Sequence, residues 1–472
     1  MLFSDLSSDI IKAEIAKERR EVVDQYEAVR ERLKDFFEDR QTKNEYIRDW
    51  GFKLKDGSTD LPLQSVNITA KVLNKISLTY KYQPKRMLMD LPEGAEDSLA
   101  LWYADQPEFG LGFKYAERYK NLLGKVLYRV HYDARRQVWF PFIETHYEAH
   151  FLEDDMIHPI AYSYPLRQDL TQPQNVREDW WVFWSDNDYF FYLPGSNKRK
   201  EDEFGGLNPF KIMPMVEMRA DYPVDQYDTT GAWSLILANQ NINIALNDLN
   251  LMIHHQAFDQ PYVAGASEEE MVGMKFGANK ILATSDPEVK FGLLGYSPKI
   301  TESIEAIKFN IQTIAYTYNL AINWSIEGNP ASGFSLLVQN IDLLEARHDD
   351  VELAVLYEKK MYKVLSKMQD HYRRHGMLKK DEPVLPIDGK VSVDFTEIDF
   401  PINQAEEQSR WDWLIDKNAK TVIDLIMSEN PDMSEEEAIE KYQRNKELNG
   451  SLTPAEQAQS AFEKLGGEVV NP

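Results

Sequence analysis

The densest group of histidines and carboxylates in this sequence lies within ten residues. Its members are His146, Glu148, His150, Glu153, Asp154 and Asp155. Imidazole and carboxylate side chains are common ligands of zinc and related metals. The surrounding residues are aromatic and strand-like, however, and on a sheet the spacing of His146 and His150 is not specific for metal binding. The pattern favours a solvated strand end, so no metal site is predicted.

Phosphate chemistry would require a glycine-rich loop or a reactive pair of side chains. A Walker A loop ends in Gly-Lys followed by serine or threonine, whereas Gly124-Lys125 and Gly389-Lys390 are both followed by valine. The carboxylates Asp349, Asp350 and Glu352 stand near Arg347 and Lys359, as on a solvated helix face. No nucleophile and general base stand out as a pair. We therefore predict neither an enzyme nor a cofactor.

Composition limits the classes of function. The 472 residues carry a net charge of −25, from 53 Lys and Arg against 78 Asp and Glu. Tight, salt-sensitive DNA binding needs basic groups that neutralise phosphates, so this averaged charge argues against it. The absence of cysteine excludes disulfides and thiolate metal sites and fits assembly in a reducing cytosol. The sequence predicts neither a secretion signal nor a membrane span.

The first half of the chain predicts helices followed by short strands. Residues 8–40 form an amphipathic pattern, and residues 66–80 predict a second helix. Alternating apolar residues around polar turns predict two hairpins, 126–132 with 138–143 and 180–184 with 189–193. The expected fold is α+β and predominantly α-helical, with long helices and small mixed β elements.

Two helices separated by a small insert follow. Residues 232–258 predict a helix of roughly 40 Å, whose many Asn and Gln side chains are expected to face water or like neighbours. The insert, residues 261–297, is too small for a core of its own and is expected to pair with another chain. The second helix carries isoleucines at alternating spacings of four and three, predicted to pack on the first: Ile300, Ile304, Ile307, Ile311 and Ile314. Such a pair is poorly placed to bury both faces within one subunit, which predicts a ring-forming subunit.

A loop, a very long helix and a polar tail complete the chain. Residues 321–333 contain Gly328, Pro330 and Gly333 and predict a mobile loop. Residues 334–375 predict one helix, more than three times the mean length, which ends at Gly376. A strand at 391–395 and helices at 406–427 and 434–448 are expected beyond it.

This order resembles that of the portal proteins of tailed bacteriophages, the rings at one capsid vertex through which the genome is packaged and ejected. The resemblance covers most of the chain and lies in the order of its segments. Its most specific pieces are the helix of residues 240–250 running into Gln260-Pro261-Tyr262-Val263, the insert of residues 277–291, Asn329-Pro330-Ala331-Ser332-Gly333-Phe334-Ser335-Leu336 opening the long helix, and Phe395-Thr396-Glu397-Ile398-Asp399-Phe400-Pro401 before the helix of Glu406 and Glu407.

The resemblance implies a subunit divided into seven segments. They are a wing (1–228), a first stem helix (229–258), a clip (259–298), a second stem helix (299–320), a tunnel loop (321–333), a spine helix with a closing wing strand (334–400), and a crown with the C-terminal tail (401–472). It also implies a dodecameric ring in the virion, assembled in the host cytoplasm. The implied partners are double-stranded DNA passing without sequence specificity, the large terminase, the head-tail adaptor or neck proteins, and the major capsid and scaffolding proteins.

The resemblance also assigns roles to individual residues. The tunnel-loop residues expected to approach DNA are Asn323, Trp324, Ser325, Glu327 and Asn329, acting as a collar without base-specific reading. A second interpretation places Trp324 under a neighbouring helix. The clip residues expected to dock partners are Tyr262, Val263, Ile281, Leu282, Val289 and Phe291. An acidic conduit fits this role, because repulsion of the phosphates centres the duplex.

Two other functions remain open from the sequence. One is a nuclease or other phosphoryl-transfer enzyme that uses acidic residues, and the other is a structural scaffold or adaptor that never contacts DNA. A monomer with magnesium-dependent DNA cleavage would indicate the first. A ring too narrow for a duplex about 20 Å wide would indicate the second.

Overall fold

The structure, a computed structural model, describes residues 19–40, 64–89, 96–151, 155, 157–166, 180–193, 199–200, 205–224, 229–256, 260–265, 290–294, 299–320, 341–396, 411–417, 420–430 and 433–451. The described residues divide into two compact units, one running up to residue 396 and the other from residue 411 onward. None of the described helices is both long and apolar enough to cross a membrane.

Helices dominate the first unit. They are α1 (Arg19–Phe37), α2 (Ile68–Ile76), α3 (Ser98–Asp105), α4 (Pro107–Leu123), α5 (Trp233–Gln256), α6 (Ile300–Thr317) and α7 (Ile341–Arg374). Local chemistry sets several of their ends. Asp97 Oδ1 accepts the Leu99 N–H at 2.9 Å at the start of α3, and Gly376, at φ 64°, follows the end of α7 as predicted.

The strands are short and pair antiparallel. They are β1 (Lys85–Leu88), β2 (Lys125–Asp133), β3 (Val138–Glu144), β4 (Glu148–His150), β5 (Ala161–Pro165), β6 (Trp181–Ser185), β7 (Tyr189–Tyr192), β8 (Arg199–Lys200), β9 (Met215–Arg219), β10 (Gln260–Ala264), β11 (Lys290–Leu294) and β12 (Val391–Asp394). Within the described residues they form sheets ordered β3-β2-β9, β4-β5-β6-β7-β8, β1-β12 and β10-β11. Both predicted hairpins are confirmed, as β2 with β3 and β6 with β7. The predicted α+β, predominantly helical fold class is confirmed as well.

An aromatic core joins α3, α4, the three-stranded sheet and α7. Trp102, Phe109 and Trp139 are almost completely buried, and the rings of Trp102 and Trp139 meet edge to face at 6.0 Å. Both indoles donate to Glu382 Oε1, at 3.1 Å from Trp102 and 2.6 Å from Trp139. This carboxylate thereby fastens the chain beyond α7 to the core.

A buried ion pair ties the strand β1 to the middle of α7. Arg86 donates from Nε and Nη2 to the two oxygens of Glu358, at 2.9 and 2.6 Å. Both side chains are almost fully buried, with 5% and 2% of their surfaces exposed. The Tyr103 ring covers the guanidinium at 3.9 Å. The two-pronged geometry satisfies both charges where water is excluded.

The helix predicted at residues 66–80 is shorter at both ends. Glu117, buried on α4, accepts the Thr79 N–H at 2.8 Å and the Tyr80 N–H at 3.1 Å, which holds the chain beyond α2 out of a helical path. Burial raises the pKa of Glu117, against the opposing effect of these N–H donors. Tertiary hydrogen bonds outweigh the local helical preference here.

The second unit is helical in its described part. Residues 411–416 form a short helix, followed by α8 (Val422–Glu429) and α9 (Glu435–Ser451). Thr421 and Asp424 form a capping box at the start of α8, with Asp424 N–H donating to Thr421 Oγ1 at 3.2 Å and Thr421 N–H donating to Asp424 Oδ2 at 2.7 Å. The single helix predicted at 406–427 is wrong in its described part, because the chain leaves the helical path after residue 416 and Thr421 caps a separate helix, α8. The helix predicted at 434–448 is present as α9, which runs to Ser451.

Candidate functional site: the paired helices and their terminal hairpin

The helix α5 is fixed to the body of the subunit at its first turn. The Ala232 N–H donates to the Leu122 carbonyl at 2.9 Å, at the end of α4. Gly231 adopts φ 55°, and a Cβ there would stand 2.4 Å from the Leu122 oxygen. Only glycine accommodates both the left-handed backbone and this close approach. The start of α5 is therefore set by α4 rather than by α5 itself.

A ladder of three asparagines on α5 holds an extended backbone segment. Asn239, Asn243 and Asn247 are spaced by four residues and therefore share one helix face. Their Oδ1 atoms accept backbone N–H groups in turn, from Ile68 at 2.7 Å, Val66 at 2.9 Å and Gln64 at 2.9 Å, respectively. Asn247 Nδ2 also donates to the Gln64 carbonyl at 2.8 Å. The segment before α2 thus lies along α5 as a strap.

The amide ladder corrects one prediction. Asn239, Gln240, Asn243 and Asn247 were expected to face water or like neighbours, but all four are buried. Gln240 accepts a hydrogen bond of 2.6 Å from Arg32 Nη2 on α1. Asn241, between them in sequence, is exposed. The repeat of one amide at every fourth position is the sequence signal that could have revealed the ladder.

The helices α5 and α6 pack against each other in antiparallel fashion. The side chain of Ser234, near the start of α5, lies close to the Tyr318 hydroxyl just beyond α6. Burial raises the pKa of Tyr318, and the nearby Ser234 side chain opposes the shift. Of the predicted isoleucines, Ile307 and Ile314 are buried, whereas Ile300 and Ile311 are partly buried against the core. Ile304 remains 38% exposed and lies outside the packed set of this subunit.

The opposite face of α6 exposes two aromatic side chains. Phe309 and Tyr316 are 67% and 77% exposed, and their spacing of seven residues places them on one side of the helix. Glu302 and Glu305 are exposed on the same side. The helices α5 and α6, together with the adjoining Lys299, carry three carboxylates, which are Asp248 and these two glutamates, and two lysines. The helix pair is therefore nearly neutral, although the chain as a whole is acidic. Large apolar side chains exposed together on one helix face are typical of an interaction surface.

A two-stranded sheet follows α5 and precedes α6. Strands β10 and β11 pair from Gln260 with Leu294 to Ala264 with Lys290. This places the predicted clip residues Tyr262 and Val263 opposite Gly292 and Phe291. The other clip residues, Ile281, Leu282 and Val289, lie outside the described residues. A two-stranded ribbon is marginally stable alone.

The predicted tunnel loop falls outside the described residues. It comprises Asn323, Trp324, Ser325, Glu327 and Asn329, together with the rest of residues 321–333. Its role and that of Trp324 stay predictions. The same holds for residues 334–340 of the long helix, whose described part runs from Ile341 to Arg374.

The fold separates the histidines and carboxylates that lie close together in sequence at residues 146–155. His150 is buried, with Nε2 at 2.9 Å from Ser163 Oγ, while His146 faces the carboxylate of Glu27. Asp155 accepts backbone N–H groups from Ile157 and His158 within its own turn, both at 3.0 Å. The expected solvated strand end is wrong for His150, because its ring packs 5.2 Å from Phe183. Among the described residues, no group of three or more potential ligands could hold a metal ion.

The carboxylates predicted on a solvated helix face are not all solvated. Asp349 and Glu352 are exposed, but Asp350 accepts a 2.7 Å hydrogen bond from Lys120 Nζ, a side chain that is only 4% exposed. Asp350 therefore joins α7 to α4. Its position in a structural pair does not indicate catalysis.

A cleft of 330 Å³ lies beside α7 and β9. Its walls include Leu353, Leu356 and Met215, and its polar groups include Glu217 and Arg219. Glu217 Oε1 accepts a hydrogen bond of 2.7 Å from Tyr147, and Arg219 Nη1 lies 3.6 Å from Glu217 Oε2. Glu217 and Arg219 thus contact partners within the subunit.

Comparison with solved structures gives a distant likeness. No protein-family model matches the chain, and no curated protein matches it. A chain from a solved structure described as the virion of a native gene transfer agent (GTA) particle is similar, with a TM-score of 0.34 and 11% identity. The likeness covers 73% of this chain and 84% of that chain. At this level the two chains share neither a demonstrated fold nor a demonstrated role.

Proposed function

We propose that this chain is the portal subunit of a tailed bacteriophage, which forms a ring at one capsid vertex and conducts double-stranded DNA during packaging and ejection. The observation that carries the proposal is the α5/α6 pair. One face of α6 packs on the subunit through Ile307 and Ile314, while the opposite face exposes Phe309 and Tyr316. In the proposed ring, the helices of a neighbouring copy cover this second face.

Hydrophobic burial supplies the driving force for such a ring. Covering Phe309 and Tyr316 would contribute roughly 1–2 kcal/mol each per interface. A closed ring repeats the same contact at every interface. Each copy therefore covers the exposed α6 face of one neighbour, and its own α6 face is covered by the other neighbour. The contact is also nearly neutral, which avoids the repulsion expected between subunits of charge −25.

The weak charge of the paired helices supports the proposed channel function. Duplex DNA carries one negative charge per ~1.7 Å of its axis, so a lysine-rich wall would bind each passing phosphate. The α5/α6 pair offers few cations, which suits passage without retention. The hairpin of β10 and β11, whose edges can accept further strands, is the proposed docking point for the terminase and then for the neck adaptors.

Mass and image together test the proposal. We expect the purified protein to form a particle of about twelve times 54.9 kDa, with a central opening wide enough for a ~20 Å duplex in class-averaged micrographs. A compact monomer that cleaves DNA in the presence of magnesium would overturn it in favour of a phosphoryl-transfer enzyme. A ring with a narrower opening would overturn it in favour of a scaffold.

The tunnel loop has its own test. Deletion of residues 323–329 from the full-length chain is expected to leave the ring intact and to reduce the DNA retained in filled particles. Unchanged packaging and retention would contradict a role for the loop while leaving the ring in place.

A further inference from the structure

Three separate segments of the acidic chain bring seven exposed cations to one end of α7. The cations are Arg135, Arg136, Lys211, Arg373, Arg374, Lys379 and Lys380, here called the basic end. The same segments, residues 133–136, 208–213 and 370–382, contain four carboxylates, Asp133, Asp370, Asp381 and Glu382. Seven cations against four carboxylates reverses the ratio of 53 to 78 found in the whole chain.

Buried contacts fix the three segments together. The Tyr132 hydroxyl, next to the β2–β3 turn, donates to the Met377 carbonyl at 3.0 Å. The Tyr132 ring lies 4.6 Å from that of Tyr372, and the Phe210 ring lies 5.6 Å from that of Tyr372. The cations therefore project from a rigid base, although the residues that carry them are far apart in sequence.

Local hydrogen bonds shape the backbone of these segments, and most of the cations remain available to bind an anionic ligand. Asp133 Oδ1 accepts the N–H groups of Arg135 and Arg136 at 2.9 and 3.1 Å, which shapes the turn that presents both arginines. Arg373 and Arg374 each pair with Asp370, at 2.8 and 2.7 Å. These exposed pairs contribute little and exchange readily with other anions. Within the described residues, Arg135, Lys211, Lys379 and Lys380 form no ion pair.

We propose that the basic end binds the phosphate backbone of duplex DNA without reading sequence. Several flexible cations on a rigid base match a repeating array of phosphates, and arginine pairs suit phosphate oxygens in particular. An acidic protein would need an apolar centre as well, but within these three segments the only large apolar side chain that is exposed is Met377, at 44%. The net charge of −25 does not oppose this local contact, because salt screens charges beyond about 8–10 Å.

This surface is separate from the proposed channel. It requires the surface of one subunit and no ring, so it can fail or succeed independently of the portal proposal. The averaged acidity led to the expectation of no salt-sensitive DNA binding, and the basic end predicts a local exception.

Binding of a fluorescent 30-base-pair duplex to the full-length protein, measured across a salt series, tests the inference. The test variant replaces Arg135, Arg136, Lys379 and Lys380 with glutamine. The matched control replaces four exposed lysines elsewhere, Lys71, Lys75, Lys81 and Lys85, so both variants lose the same charge. We expect the test variant to lose about tenfold or more in affinity at 50 mM salt, and the slope of log affinity against log salt to fall by about 3–4. The control is expected to retain most of both.

Three results would overturn the inference. They are no duplex binding by the unaltered protein at 50 mM salt, equal losses in the two variants, or competition by polyglutamate that matches the duplex at equal charge, which would indicate an acidic protein partner. If the fourfold variant does not fold by circular dichroism, the pair Lys379→Gln and Lys380→Gln serves instead, with an expected fall in slope of about 2. A mass measurement on the same samples reports the ring separately.

Discussion

The part of the subunit built around the three-stranded sheet and α7, here called the body, and the α5/α6 helix pair differ in how their apolar side chains are buried. In the body, Trp102, Phe109 and Trp139 are covered by the same chain, and the charges of Arg86 and Glu358 neutralise each other out of water. On α6, Phe309 and Tyr316 stay exposed. The aromatic centre of the body is covered within one subunit, whereas α6 is covered on only one face. The difference indicates that the exposed face of α6 is available to a neighbouring copy.

Placing charged side chains on the exposed face of α6 should have the largest of the expected effects, the loss of assembly. In the variant Phe309→Glu with Tyr316→Glu, we expect the ring to be lost, because two desolvated carboxylates per interface replace apolar contacts. The subunit should remain folded, since neither side chain belongs to its core. Mass photometry and circular dichroism measure the two outcomes. Asn310→Glu, an exposed change on another side of the same helix, should keep the ring. Retention of the ring by the double variant would show that this face is not an interface.

Breaking the buried ion pair should produce the largest effect on the body. Glu358→Ala leaves Arg86 charged, buried and without its carboxylate, so we expect a loss of about 3–5 kcal/mol in the free energy of unfolding by urea. Glu352→Gln, at an exposed position on the same helix, should change it by less than about 0.5 kcal/mol. Equal effects of the two would mean that the pair does not hold β1 to α7.

Removing one step of the amide ladder should have an intermediate effect. Asn243→Ala deprives the Val66 N–H of its acceptor, which should cost about 1–3 kcal/mol. Hydrogen exchange of the strap should rise at the same time. Asn241→Ala makes the same substitution at the exposed neighbouring position, and we expect it to change stability by less than about 0.5 kcal/mol. Unchanged exchange at residues 64–68 in Asn243→Ala would contradict the ladder.

Titration of His371 should give the smallest effect. Burial lowers the pKa of His371, and the neighbouring His375 lowers it further, while Asp370 acts in the opposite direction. A folded pKa below the unfolded value of about 6.5 means that the unfolded state binds the proton more tightly. Stability is therefore complete above that value and is lost as the pH falls through it toward the folded pKa. The urea midpoint of the unaltered protein should drop more between pH 7.5 and 5.5 than that of His371→Gln. An equal drop in both would assign the pH dependence to other groups.

The sequence predicted elements best where the signal is local. The β2–β3 and β6–β7 hairpins follow from alternation around polar turns, and the end of α7 follows from Gly376. Each of these depends on residues within one or two turns of chain. The isoleucine stripe of α6 also identified its packed face, apart from Ile304, because helical spacing alone decides which side chains share a side.

Residues distant in sequence found their partners only in the tertiary structure. Arg86 and Glu358 are 272 positions apart, and Asn243 binds a backbone 177 positions away. No periodicity encodes such partners, which is why the amides of α5 were expected to face water and the helix at 66–80 was expected to be longer. The basic end likewise joins three segments that are individually unremarkable in charge.

The sequence by itself determined the fold class, the helical pair with its small insert and the acidic character of the chain. These properties depend on composition and on periods of two and 3.6 residues, which any stretch of chain carries on its own. The tertiary structure decided which polar groups are buried together, which face of α6 stays exposed and where the cations collect. Those outcomes depend on which distant surfaces meet when water is excluded, and only the folded chain specifies that.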